Sequence, residues 1–319
     1  MKKIAILRAL KLGDILCAIP AIRAIRNEFP YAEITYIGLP WTKGIISRFP
    51  MYFNHFINFP GWPGLPEQRI TPKKILKFLS QVQKEKFDLI FQMQGNGTYV
   101  NNLMDLFGAK LTAGFYLPHE HSYCPNIGTY LPYPDHGHEI ERLLCLTDFL
   151  GIKRKGTNLE FPLNEIYYRV LDREKHYVVI HPGSTSGKRW AEENFAEVAN
   201  GLLETDYQIV ISGTKEERFV TGKVKRLIKG KVIDLTGKTD LGALGILVKN
   251  ASLLLSNDTG ISHIAAALKT PSIIILTTSE KERWAPLDKK LHVAIKEDQI
   301  TNNDEVVNVA INLLNSKLK

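Results

Sequence analysis

Residues 252–276, SLLLSNDTGISHIAAALKTPSIIIL, decide the fold. The apolar run LLL leads into a short polar loop, then into a helical segment ending near Leu268, and SIIIL follows. Runs that are apolar at nearly every position read as strands covered on both faces, the situation of a parallel sheet. A helix between two such strands makes the stretch a strand–helix–strand unit.

Working outward, the same alternation fills the chain. YVVIHPG leads to a helix over 192–203, YQIVISG to one over 216–228, and KVIDLTG to one after Asp240. In the first half KIAILRA precedes a helix over 14–28, and EITYIGL, FNHFINF, the helical PKKILKFLSQVQKEK and DLIFQMQ come next. This pattern predicts an α/β protein with helices on both faces of parallel sheets. The basic, polar stretch 153–175 reads as a linker. At ~150 residues per domain, a chain of 319 residues suggests two domains. The expected architecture is two doubly wound domains, 1–160 and 161–319, facing across a cleft.

Composition narrows the class. With 44% apolar and 23% charged residues the chain is neither disordered nor fibrous. A net charge of +8 favours anionic partners such as phosphorylated metabolites, nucleic acid or an acidic membrane surface. No recognised nucleic-acid module accompanies that charge, so nucleic acid is not expected as a partner. Three dispersed cysteines, Cys17, Cys124 and Cys145, give no CxxC pair and fit a reducing compartment. The first apolar run is broken by Arg8, Lys11 and Asp14, which argues against a secretory signal. The expected location is cytoplasmic, or peripheral on the cytoplasmic face of an inner membrane.

In open α/β sheets ligands gather at the carboxyl ends of strands, and three loops there carry polar groups. In RALKLGDIL, Gly13 permits a tight turn and Asp14 stands at the start of a helix, either as a simple N-cap or as a carboxylate base. HPGSTSGKRW, 181–190, is one residue short of a Walker A loop, because three residues separate Gly183 from Gly187 and Arg189 follows Lys188. Its backbone N–H groups, the Ser184 hydroxyl and the Lys188 ammonium could bind an anion, the alternative being a plain surface loop. In SNDTGISH, Asp258 ends a strand while Thr259 and Gly260 open a helix that carries His263. These could grip phosphate at the helix terminus, or serve as capping residues and a core histidine. A diphosphate grip in one half and a base in the other is what group transfer from a nucleotide-linked donor needs.

These motifs, with ILRALKLGDILCAIPAIRAIRNEFP, VVIHPGSTSGKRWAEENF, IVISGTKEERFV and 233–276 in order, resemble glycosyltransferase family 9, the ADP-heptose:lipopolysaccharide heptosyltransferases and their relatives. The resemblance implies a GT-B fold, with acceptor in the first half and nucleotide-sugar donor in the second. It implies an inverting, metal-independent transferase with no cofactor, moving a sugar, most simply heptose from ADP-heptose, to a lipopolysaccharide-core or related glycan or glycolipid acceptor. Asp14 matches the general base, and Gly13 of the same LGD motif joins the donor-binding set. Ser184 and Lys188 match donor-phosphate contacts, with Lys188 taking the place of a metal ion. Glu217, or the adjacent Glu216, matches the ribose carboxylate, and Thr239 falls near the nucleotide base. Asp258 matches an acidic residue of the donor site, and Thr259, Gly260 and His263 match its phosphate element. Consistently, the chain lacks both an Asp-x-Asp pair and GxGxxG. The alternatives are a nucleotide-sugar 2-epimerase-like isomerase on the same fold, or transfer with another nucleotide sugar or to a protein.

Two weaker features remain. His119, His121, Cys124, His136 and His138 crowd together but lack zinc spacing, and read as loop or acceptor-contacting residues. Ile75, Leu76, Phe78, Leu79 and Val82 predict one buried helical face, with Lys73, Lys74 and Lys77 around it. That basic rim is either simply solvated or docks on anionic lipid.

Overall fold

The computed structural model describes residues 1–118, 123–163, 176–184 and 188–316. The chain forms two compact units, Met1–Asn158 and Leu159–Lys319. The boundary falls inside the stretch read as a linker, of which 164–175 lie outside the described residues.

The first unit runs β1 (Lys3–Leu7), α1 (Leu12–Glu28), β2 (Glu33–Gly38), the single turn α2 (Lys43–Ile46), β3 (His55–Asn58), α3 (Pro72–Glu85), β4 (Leu89–Gln92), α4 (Asn101–Leu106), β5 (Leu111–Tyr116), β6 (Tyr130–Pro132) and α5 (Glu139–Phe149). The second runs β7 (Tyr177–His181), α6 (Glu192–Leu202), β8 (Gln208–Ile211), α7 (Arg218–Leu227), β9 (Val232–Asp234), α8 (Leu241–Asn250), β10 (Leu253–Asn257), α9 (Gly260–Leu268), β11 (Ser272–Leu276), the short α10 (Lys281–Trp284), β12 (His292–Lys296) and α11 (Asn303–Ser316).

Each unit holds one six-stranded sheet, ordered β3-β2-β1-β4-β5-β6 in the first and β12-β11-β10-β7-β8-β9 in the second. Every pairing between neighbouring strands is parallel. Both sheets therefore have the doubly wound Rossmann order. The winding reverses between β1 and β4 in one and between β7 and β10 in the other, and such switch points open a crevice beyond the strand ends.

The period-two alternation of strand side chains splits the burial between two faces. In the second unit Val178, Ile180, Ile209, Ile211, Leu253, Leu255, Ile273 and Ile275 join one core cluster with Phe195 and Leu202 of α6, Val224 of α7 and Val306 and Leu314 of α11. In the first, Ala5, Leu7, Ile37 and Ile90 pack with Phe78 and Val82 of α3 and Leu103 and Met104 of α4. Helix α1 is buried almost throughout and packs against α5. Helix α3 departs from expectation. Phe78 and Val82 are its buried residues, whereas Leu76 is 68% exposed, because it lies about 100° around the helix from Ile75 and so points away from the sheet. No helix among the described residues is long and apolar enough to cross a membrane.

Candidate active site

At the switch point of the first sheet the chain leaves β1 through residues 8–11 and enters α1. Gly13 is the second residue of that helix, so the tight turn expected of it is not made there. The turn is built instead by side chains reaching into the loop. Gln94, just beyond β4, accepts from the Ala9 N–H through Oε1 at 2.5 Å and donates to the Ala9 carbonyl through Nε2 at 3.3 Å. Arg8 is fully buried, donating from Nη1 to the Met93 carbonyl at 2.6 Å and from Nε to the Asp14 carbonyl at 2.8 Å. Asp14 is the third helical residue, not the N-cap, which is Lys11. Its carboxylate accepts from the Lys11 backbone N–H at 3.2 Å, and its side chain keeps 21% of its surface exposed. Asp14 therefore satisfies a helix-terminal donor and still presents an accessible carboxylate at the carboxyl end of β1.

In the second unit four strand-end loops are tied into a row. Asn257, the last residue of β10 and 1% exposed, donates to the carbonyls of Pro182 at 2.8 Å and Gly183 at 3.4 Å. Its Oδ1 accepts from the Trp190 N–H at 3.0 Å. One side chain thus fastens both stems of the loop that carries Ser184 and Lys188, whose middle residues 185–187 lie outside the described set. The loop's far stem is also held by Thr277, whose hydroxyl donates to the Lys188 carbonyl at 3.4 Å.

On the other side of Gly183 stands Glu217, against which any side chain at 183 would collide. Of the two neighbouring glutamates, Glu217 faces the β7 loop, and Glu216 is exposed. Glu217 Oε2 accepts from the Thr214 N–H at 2.7 Å and lies 4.0 Å from His181 Nε2. Burial pushes the His181 imidazole below its ordinary pKa, opposed by the Glu217 charge, and its Nδ1 lies 3.2 Å from the Ser212 hydroxyl. The Gly237 N–H donates to the Gly213 carbonyl at 2.8 Å, which joins the loop after β9 to the one after β8. Thr239 sits half-buried in that loop, just before Asp240, which caps α8 by accepting from Ala243 N–H.

Asp258 follows β10, and its N–H donates to the Ile275 carbonyl at 3.0 Å. Thr259 is the N-cap of α9 without a side-chain capping bond, and Gly260 is the first helical residue. His263 is buried, its ring 6.1 Å from that of Trp284. The β7, β8, β9 and β10 loops thus bring Ser184, Glu217, Thr239, Asp258 and Thr259 to one end of the second sheet. Asp14 and Gly13 belong to the first unit.

Residues 75–310 match glycosyltransferase family 9 (heptosyltransferase). The chain belongs to this family. Over 295 residues it is 24% identical to the lipopolysaccharide core heptosyltransferase OpsX of Haemophilus influenzae, covering 89% of this chain and 82% of that protein. Lipopolysaccharide heptosyltransferase 3 of Escherichia coli K12 is 26% identical over 286 residues, 86% of this chain and 82% of its own. The solved structure of the E. coli ADP-heptose lps heptosyltransferase II superposes over 100% of both chains with a TM-score of 0.79 at 20% identity. This glycosyltransferase family 9 member thus has the GT-B fold, two Rossmann-like units in one chain.

Several residues of this family 9 enzyme that organise the site escaped the sequence reading. Arg8, Gln94 and Glu139 support the Asp14 loop, and Asn257 and His181 support the loops after β7 and β8. Arg8, His181 and Asn257 lie within quoted motifs, yet only the tertiary structure gives them partners. The histidine-rich segment forms no metal cluster among the described residues, where no three His, Cys, Asp or Glu groups come together. His119 and His121 lie outside the described residues. His138 caps α5, its Nδ1 accepting from the Ile140 N–H at 3.1 Å.

Proposed function

We propose that this enzyme transfers a sugar, heptose from ADP-heptose, to a lipopolysaccharide-core or related glycan acceptor with inversion at the anomeric carbon and without a metal ion. Asp14 takes the proton of the acceptor hydroxyl as its oxygen attacks the anomeric carbon. The bond from that carbon to the diphosphate oxygen breaks, and the nucleoside diphosphate leaves with the electron pair. Ser184, Lys188 and the Thr259–Gly260 helix terminus stabilise the charge that develops on the diphosphate, the role a metal ion has elsewhere. Glu217 receives the ribose hydroxyls, Thr239 lies beside the nucleotide base, and Asp258 and His263 complete the donor side.

The observation that carries this reading is the row of tied loops around Gly183 and Asn257, which gathers these side chains at a sheet's switch point beside a helix N-terminus. The exposed Lys73, Lys74, Lys77 and Leu76 of α3 support a peripheral place on an anionic membrane surface, within reach of a lipid-linked acceptor.

Asp14→Asn is expected to lose transfer by at least ~100-fold while ADP still raises the melting temperature as in the unaltered protein. Full transfer by Asp14→Asn would remove Asp14 from the mechanism. Incubation with ADP-heptose and no acceptor should leave the sugar's configuration intact, and epimerised nucleotide sugar would turn the reading to an isomerase.

A further inference from the structure

Beneath Asp14 lies a buried ion pair with no part in the proposed chemistry so far. Arg8 Nη2 donates to Glu139 Oε1 at 3.0 Å, and the same nitrogen lies 3.8 Å from Asp14 Oδ1. The guanidinium is thus hydrogen-bonded to the carboxylate of Glu139 and the main chain of Asp14, while its approach to the Asp14 carboxylate is an ion contact only. Arg8 and Glu139 have side chains 1% and 3% exposed, against 21% for Asp14. A buried guanidinium without a carboxylate partner is strongly disfavoured, so it engages whichever carboxylate it can reach. Here two are in reach, and the deeper one takes the hydrogen bond.

Resting on the reading of Asp14 as the base, we propose that Arg8 and Glu139 form its positioning pair. Glu139 occupies the guanidinium edge that would otherwise close on the Asp14 carboxylate, and Arg8 holds Asp14 in place through its backbone carbonyl. An arginine hydrogen-bonded directly to a carboxylate favours its ionised form so strongly that proton abstraction by that carboxylate becomes less favourable. Neither Arg8 nor Glu139 exchanges a proton during transfer.

The groups around Asp14 support this division of labour. Arg8 approaches from the end of β1, and Glu139 acts through Arg8 from the start of α5. Tyr36 of β2 donates from its hydroxyl to the Arg8 carbonyl at 2.6 Å, and burial pushes its phenol upward, so it stays neutral. Lys11 contributes its backbone N–H from the loop, and His138 turns Nδ1 to its own helix. The Arg8 guanidinium thus stands against the Asp14 carboxylate, and Glu139 shares its charge.

The test uses the full chain with ADP-heptose and a deacylated lipopolysaccharide-core acceptor, comparing kcat, KM and the pH profile. Glu139→Gln keeps the size and an acceptor oxygen but removes the charge, leaving Arg8 against Asp14 without the Glu139 counter-charge. It is expected to lower kcat about tenfold, keep the donor KM within about twofold, and move the acidic limb of kcat/KM to lower pH. The double variant Arg8→Met/Glu139→Met removes both charges together, leaves no buried unpaired ion, and should move the limb to higher pH. Opposite displacements are a signature that a purely structural pair would not produce.

Limbs unmoved in variants shown to be folded by circular dichroism and thermal melting overturn the proposal. If one variant fails to fold, the limb of the other decides. Asp14→Asn separates the two levels. If it is inactive while the limbs stay in place, the pair alone fails, whereas an active Asp14→Asn removes the base reading and the pair with it.

Discussion

At the residue scale, the second unit is organised by two residues with different duties. Asn257 satisfies three buried backbone groups at once. Each of those left unpaired would cost about 1–3 kcal/mol, so this one amide rigidifies both stems of the Lys188 loop. Gly183 has another role. The Glu217 carboxylate lies where a side chain at 183 would begin, so a Cβ there must push that carboxylate aside, a matter of close approach and not of unusual backbone angles. Gly183→Ala is therefore expected to displace Glu217 and weaken ADP binding about tenfold, worth ~1.4 kcal/mol, with little change in melting temperature. Isothermal titration measures this, and unchanged affinity would separate Glu217 from the nucleotide.

At the element scale, the edge strand β12 carries a pH-sensitive contact far from the proposed chemistry. His292 pairs in register with Ser272 of β11, and its Nδ1 lies 2.7 Å from the Ser272 hydroxyl. Burial pushes the imidazole from 6.5 to about 4, with the nearby Asp288 opposing weakly. Because the folded pKa is depressed, the unfolded chain takes up the proton first as pH falls. The contribution is complete above about pH 6.5 and is lost between there and about pH 4, at a slope of ~1.4 kcal/mol per pH unit. Urea melts of the protein and of His292→Gln across pH 5–7 should show a shallower decline in the variant. Parallel curves would mean that His292 does not govern the acid limb of stability. Helix α3 offers a second test at this scale. Charge reversal of Lys73, Lys74 and Lys77 with Leu76→Asp should abolish co-sedimentation with phosphatidylglycerol vesicles while leaving the fold intact, and unchanged sedimentation would argue that the rim is simply solvated.

At the scale of the whole molecule, each unit contains its own sheet, helix layers and core clusters. Apart from Gly13, the donor-binding residues of the proposed function lie in Leu159–Lys319, and the base lies in Met1–Asn158. The fragment 159–319 is expected to bind ADP, seen as a shift in melting temperature, and to catalyse no transfer. Absence of ADP binding by a folded fragment would show that the first unit contributes to the donor site.

The strongly apolar strands, such as KIAIL, YVVIH, LLLSN and SIIIL, are legible because a strand covered on both faces must be apolar at nearly every position. Elements on the sheet margins lack that signal. The sequence reading passed over β5, three-residue β6 and β12, and the helices α2, α4, α5, α10 and α11. LTAGFY and HVAIK mix polar and apolar residues, since neighbours cover them less completely, and YLP is too short to carry a period. The strand-end placement of Asp14, Lys188 and the Asp258–Gly260 turn was legible, because polar loops stand out against apolar strands. Which glutamate turns to Gly183, and that α1 starts at Leu12 ahead of Gly13, were not legible, because both depend on partners distant in the chain.

The sequence by itself determined the alternation of strands and helices, and with it two parallel sheets and the loops that bear chemistry. Those features follow from local periodicity and from residue types a few positions apart. Only the tertiary structure decided the strand order, and thereby the switch points that set β7 beside β10 and β1 beside β4. It also decided the partners of Arg8, Glu139 and Asn257, whose hydrogen bonds span from 6 to 131 positions. Pairing across such separations depends on how the sheet closes in space, and no local pattern encodes it.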